Sequence, residues 1–184
     1  IHGRTDARHY TVKTLTGSGT GSIVPTSTTD TDWELYRAYT SLSDAESGTV
    51  NTGTSLFTDS HAGGGVDLVT DNYQWNIACY GDGADSALTQ VDGWTTSAAN
   101  HLRIYTPDST NQVGVSQRHA GVFTTDKYHI TAAQTSNDSA PLYINDDHVR
   151  VEGVQVYHTN STVQGGKAVW VYGADDVRVS DSVF

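Results

Sequence analysis

The chain has 184 residues, with 10 Lys and Arg against 21 Asp and Glu and a formal net charge of −11. That length fits one domain with a real core, and the acid excess argues against nucleic-acid binding, which rests on Lys and Arg. Twenty-six Thr, 17 Ser and 18 Gly make the surface polar, while four Trp, ten Tyr and many Val argue against disorder. No run approaches the roughly 18 apolar residues of a membrane helix, so no membrane insertion is expected. One cysteine, Cys79, excludes an internal disulfide and a multi-thiolate zinc site. Its apolar setting in Trp75–Tyr80 suits a buried small side chain. The chain opens at Ile1 with no initiator methionine and no signal-peptide pattern, so it reads as a processed mature protein or a fragment.

Residues 1–32 form a polar N-terminal arm, interrupted by Gly17–Ser22, with one alternating run at His9–Leu15 fit to pair as an edge strand. A short helix near 40–47 follows, with Ser43 and Glu46 as a capping box and Gly48 as its stop. Residues 48–65 read as loop, ending in Gly63–Gly65. From Val66 onward the chain becomes a series of short β-type runs: Gln74–Tyr80, Ala87–Val91, Leu102–Tyr105, Gly121–Thr124, Tyr128–Ala132, Leu142–Ile144, His148–Val156, Ala168–Tyr172 and Val177–Phe184. No helical periodicity of useful length intervenes, which removes the alternating βαβ architectures.

An internal repeat organises these runs. Asp147-His148-Val149-Arg150-Val151 recurs 28 residues later as Asp175-Asp176-Val177-Arg178-Val179, and each copy follows an apolar strand, Leu142–Ile144 or Val169–Val171. A weaker copy sits upstream, Val122-Phe123 followed by Lys127–Ile130. A constant strand–turn–strand unit with unequal steps describes stacked coils with loops of varying length. Val149 is then expected on Val177 and Val151 on Val179, with Arg150 and Arg178 facing outward. A β-sandwich explains short strands equally well, but not a repeat in one fixed order.

Val91–Thr96, Arg103–Pro107 and Arg118–Gly121, with the Tyr39–Ser43 helix start and the Asp146–Val156 and Asp175–Ser180 coils, resemble a known group. These are right-handed parallel β-helix, pectate-lyase-like proteins of environmental bacteria and bacteriophages. The likeness spans residues 33–184. It implies an all-β, right-handed parallel β-helix with a short N-terminal capping helix, and a lineage that serves as fibre, spike, adhesin or carbohydrate-active domain. The expected function is a non-enzymatic structural component of an extracellular or virion assembly that associates with copies of itself. The contrasting expectation is a polysaccharide-binding or polysaccharide-cleaving module.

Candidate chemistry is sparse, and no catalytic residue is assigned. A glycosidase pair would draw on Asp146, Asp147, Asp175 and Asp176, although Asp at coil turns more often accepts backbone hydrogen bonds. No cofactor is called for. The candidate ion is Ca²⁺, held by Asp147, Asp175 and Asp176 where stacked acids repel, with the Asp82–Asp85 turn as a second place. Eight histidines are scattered, and stacked coils would set His129 beside His148. Trp170, flanked by Val169 and Val171, is expected to project outward with Tyr172 as a carbohydrate or partner contact. Subunit contacts are expected from Tyr10, Val12 and Leu15 of the arm, adding as a strand to an open last coil that ends in Val183 and Phe184.

Overall fold

The computed structural model describes residues 37–52, 66–109, 112, 116–159 and 165–184, together with the backbone of residues 3–6 and 9–11. It divides into two compact units, residues 1–36 with 107–116, and residues 37–106 with 117–184. In the first, β1 (Gly3–Asp6) and β2 (His9–Thr11) form an antiparallel hairpin. Tyr10 therefore lies in β2, while Val12 and Leu15 fall outside the described residues.

The second unit is all-β in character, with mainly parallel strands and two short helices. In chain order its elements are α1 (Leu42–Ser47), α2 (Leu68–Asp71), β3 (Trp75–Ala78), β4 (Thr89–Val91), β5 (Leu102–Tyr105), β6 (His129–Ala132), β7 (Leu142–Ile144), β8 (Val149–Glu152), β9 (Gln155–His158), β10 (Val169–Val171) and β11 (Arg178–Ser180). Three parallel sheets result: β3-β5-β8-β11, β4-β7-β10 and β6-β9. The smallest is extended by single bridges from Asp85 to Ile130 and from Val183 to Gln155. From β3 to Val183 the chain visits the three sheets in one unvarying cyclic order. Each sheet therefore grows by one strand per cycle.

The core follows from side-chain alternation. In β5 and β8, Leu102, Ile104, Val149 and Val151 are fully buried, while Arg103 and Arg150 between them are not. Val91, Leu142 and Ile144 from the three-stranded sheet, and Ile130 and Val156 from the smallest, join the same cluster. The expected pairing of Val151 with Val179 is present, and the same 28-residue offset sets Val177 against Val149. One buried polar side chain is satisfied internally. Fully buried Gln155 accepts from the Thr124 amide at 2.7 Å and donates to the carbonyls of Thr124 and Tyr128.

Several local expectations are corrected. The helix N-cap is Ser41, whose hydroxyl accepts from the Asp44 amide, and not Ser43; Glu46 closes no capping box, because its carboxylate goes to Trp94 instead. A one-turn helix, α2, escapes the periodicity because a single turn has none; Asp67 caps it by accepting from Val69 and Thr70. The run His148–Val156 is two strands, since Gly153 (φ 71°) turns the chain from one sheet to the next. Gly121–Thr124 is a turn and not a strand: the Thr124 amide is taken by the Gln155 side chain, where a strand would need a neighbouring carbonyl. The upstream repeat copy is overturned as well. His129 and Ile130 pair with Gln155 and Val156 in a different sheet, and β8's true upstream partner is β5, 47 residues earlier.

Candidate functional site

The outer face of the four-stranded sheet carries the densest set of ionisable groups. Register aligns Asn76, Arg103, Arg150 and Arg178 in one column, an arrangement whose like charges need partners. They have them. Arg103 grips Glu152 through Nη2–Oε2 at 2.5 Å and Nε–Oε1 at 3.1 Å, and its guanidinium lies 4.2 Å from the centre of the Tyr105 ring. That bidentate contact holds the Glu152 carboxyl below its usual range. Arg150 donates to Asp176 Oδ2 at 2.6 Å and to the Asp176 carbonyl, and Arg178 reaches Oδ1 at 2.9 Å. His148 Nδ1 lies 3.0 Å from the same Oδ2. With a histidine and two arginines on it, the Asp176 carboxyl is held well below the ordinary range.

His148 (φ 54°) and Asp176 (φ 51°) occupy equivalent places in successive cycles, and both adopt the left-handed backbone. Asp147 Oδ1 accepts from the Asp175 amide at 2.6 Å, a turn-forming contact across cycles. The three carboxylates expected to hold a cation thus divide their work: Asp176 neutralises the arginines, Asp147 orders a turn, and Asp175 supplies the amide. At the other expected cation turn, Asp82 pairs with Arg37 at 2.9 Å. Asp85 accepts from the Leu42 amide, the Ala87 amide and the Tyr128 hydroxyl. Among the described residues, no group of three or more His, Cys, Asp or Glu converges as a metal cage.

Asp146 is likewise a structural carboxylate. Its two oxygens accept from the amides of Gly93 (3.0 Å) and Trp94 (3.1 Å), while Glu46 of α1 accepts from Trp94 Nε1 at 3.2 Å. The turn after β4 is clamped between a helix and the neighbouring turn. Burial raises the pKa of both Glu46 and Asp146. Cys79 is buried, and burial pushes its thiol up to about 12, which leaves no thiolate for chemistry.

On the outer face of the three-stranded sheet, Gln90, Tyr143 and Trp170 form a column, so Trp170 does project outward. It is not an open platform. Tyr143 stacks on it at 4.9 Å between ring centres, Lys167 Nζ sits 3.9 Å from its centre, and Tyr172 meets it edge-on at 5.5 Å. Tyr172, 59% exposed, is the accessible member.

A shallow cleft of about 270 Å³ lies between Arg118, His119, Gly121, Asp181, Ser182 and Val183. Arg118 is fixed there, donating to Thr106 Oγ1 and to the Thr106 carbonyl, with Nη1 at 3.5 Å from Asp181. Val183 bridges to Gln155, while Phe184 stands 60% exposed.

Residue alternation revealed the outward arginines, but not their partners. The Glu46–Trp94 and Arg103–Glu152 contacts join residues 48 and 49 positions apart, with no local signal to mark them. Comparison with family models, with curated proteins and with solved structures finds no match.

Proposed function

We propose that the second unit is a right-handed parallel β-helix serving as a non-enzymatic structural component of an extracellular or virion assembly, and that its copies associate end to end. The observation that carries this reading is the unvarying cyclic order in which the chain adds strands to three parallel sheets around one aliphatic interior. Such a stack gains stiffness from continuous backbone ladders, while hydroxyl-rich and acidic turns keep its sides hydrated. Its carboxylates and its thiol act as clamps, caps and filler, which is the inventory of a scaffold. The final strands support association: Val171, Val179 and Phe184 stand 39–60% exposed beside strand edges without neighbours among the described residues. An added strand covers such an edge.

Size-exclusion chromatography with light scattering, joined to electron microscopy, tests the proposal. Elongated end-to-end particles that Val179→Lys disperses are expected. Compact monomers at every concentration would overturn the assembly.

A second reading, glycan contact, is favoured by the exposed Tyr172 against the Tyr143–Trp170 stack. Retardation in polysaccharide-containing gels that Tyr172→Ala abolishes supports it, and unchanged mobility removes it.

A further inference from the structure

The three-stranded sheet has β4 at one edge and β10 at the other, and helix α1 packs on β4. Thr89 and Val91 of β4 are each only 1% exposed although, among the described residues, the strand has one sheet neighbour; Leu42 and Ala45 of the helix are buried as well. Backbone hydrogen bonds show which way β4 faces. The Thr89 amide donates to the Pro141 carbonyl and the Val91 carbonyl accepts from the Asn145 amide, so residues 89 and 91 turn toward β7. Backbone groups alternate in direction along a strand, which points the amides of Gln90 and Asp92 away from β7, toward the free edge. The Asp92 amide, just past the strand, donates to Glu46 Oε1 of α1 at 3.4 Å, and the same oxygen accepts from Trp94 Nε1 at 3.2 Å. Glu46 thus occupies the place that a carbonyl of an added strand would take.

The charged groups that act most on this carboxyl are themselves acids. Asp92 acts on it from the turn after β4 and Asp146 from the turn after β7; Asp147 acts in turn on Asp146, and Asp44 is the other acid of the helix. Asp146 is already taken by the Gly93 and Trp94 amides, and Asp92 Oδ1 by Asn145 Nδ2 at 2.9 Å. Among the described residues Glu46 Oε2 has no hydrogen-bond partner, so a proton there leaves both Oε1 bonds in place. Protonation keeps the contact and removes the repulsion. Burial raises the Glu46 pKa and the two neighbouring acids add to the rise, outweighing the opposite pull of its hydrogen bonds. Docked α1 therefore holds the proton more tightly than a released helix would, and docking weakens as pH rises through the folded value.

We propose that α1 is a proton-operated latch on the β4 edge: with Glu46 protonated the helix stays docked, with Glu46 ionised it lifts, and the uncovered edge takes β10 of a second copy. The choice of β10 follows from the sheet itself. It is the opposite edge of the same three strands, and its Val171 is 41% exposed, so its addition to β4 continues one parallel sheet from copy to copy. The second half of the proposal rests on the end-to-end association proposed above, whereas the latch depends only on contacts within the chain.

The experiment compares the full chain with Glu46→Gln, which keeps the Oε1 acceptor and cannot ionise, and with Glu46→Ala, which removes it. Hydrogen–deuterium exchange reads the protection of residues 42–47 and 89–94 at a series of pH values from mild acid to neutrality, and light scattering reads mass on the same samples. In the unmodified chain, protection of both segments is expected to fall as pH rises while mass grows. Glu46→Gln should hold protection level and stay monomeric, and Glu46→Ala should lack protection at every pH. Circular dichroism verifies folding, and Glu46→Gln keeps the test decisive if the alanine variant unfolds. Equal pH dependence in the unmodified chain and Glu46→Gln overturns the latch. Loss of protection with rising pH but no growth in mass overturns the docking of β10 and the end-to-end association, and supports the latch.

Discussion

Strands β8 and β11 are paired neighbours with nearly the same sequence, Val-Arg-Val-Glu against Arg-Val-Ser, yet they live in different environments. Val151 is fully buried with β5 on one side and β11 on the other, whereas its partner Val179 is 39% exposed. Arg150 has a side chain 11% exposed and two contacts to Asp176; Arg178 is 69% exposed with one. Identical alternation thus yields unequal energetics. Position in the stack decides the contribution of each residue, because burial requires a neighbour on both sides.

The comparison breaks most visibly with a charge. Val151→Asp places an unpaired carboxylate in the aliphatic interior and should cost more than about 4 kcal/mol, leaving the second unit unfolded. Val179→Asp should cost under about 0.5 kcal/mol. Urea denaturation followed by circular dichroism separates the two, and equal losses would mean that β11 is covered in solution.

The glycine turns offer a finer contrast. Gly153 and Gly173 both have φ 71°, but a Cβ at Gly153 would meet Arg118 Nε at 1.9 Å and Thr106 Oγ1 at 2.4 Å, whereas at Gly173 the nearest atom is 3.6 Å away. Gly153→Ala should destabilise by about 3 kcal/mol, combining backbone strain with displacement of the Arg118 clamp. Gly173→Ala should cost about 1 kcal/mol, from the backbone alone. Midpoints of thermal unfolding measure both.

For the arginine column, Arg150→Ala removes half-buried hydrogen bonds to a carboxylate and a carbonyl and should cost about 1–3 kcal/mol. Arg178→Ala should stay near 0–0.5 kcal/mol, as exposed pairs do. A difference below measurement error would show that Asp176 is served by Arg178 and His148 alone.

The smallest effects concern protons. Asp176, with its pKa lowered in the folded chain, contributes stability that is present above the unfolded carboxylate pKa and lost as pH falls toward its folded value. Glu46, with its pKa raised, acts with the opposite sign: its contribution is full below the unfolded value and lost as pH rises through the folded one. Asp176→Asn should therefore flatten the acid limb of the stability–pH curve, and Glu46→Gln should remove the fall on the mildly acidic side. Melting temperatures across pH 2–8 would show each variant's limb, and a limb unchanged by its substitution contradicts the assignment.

The valine and arginine alternation at 149–151 and 177–179 was legible in the sequence because side-chain direction along a strand is a local property with period two. So were the 28-residue offset, the short helix near 40–47 and the outward stance of Trp170. Tertiary structure alone decided which strands meet. β8 stacks on β5 across a 47-residue step, and loop closure grows too weakly with length for unequal steps to leave a mark in the chain. It also decided that Glu46 serves Trp94 instead of its own helix cap, that Tyr143 covers the Trp170 ring, and that His129 pairs with Gln155 in the smallest sheet. Each of these contacts joins distant residues across strands or turns, where energy depends on register and not on any neighbouring letter of the sequence.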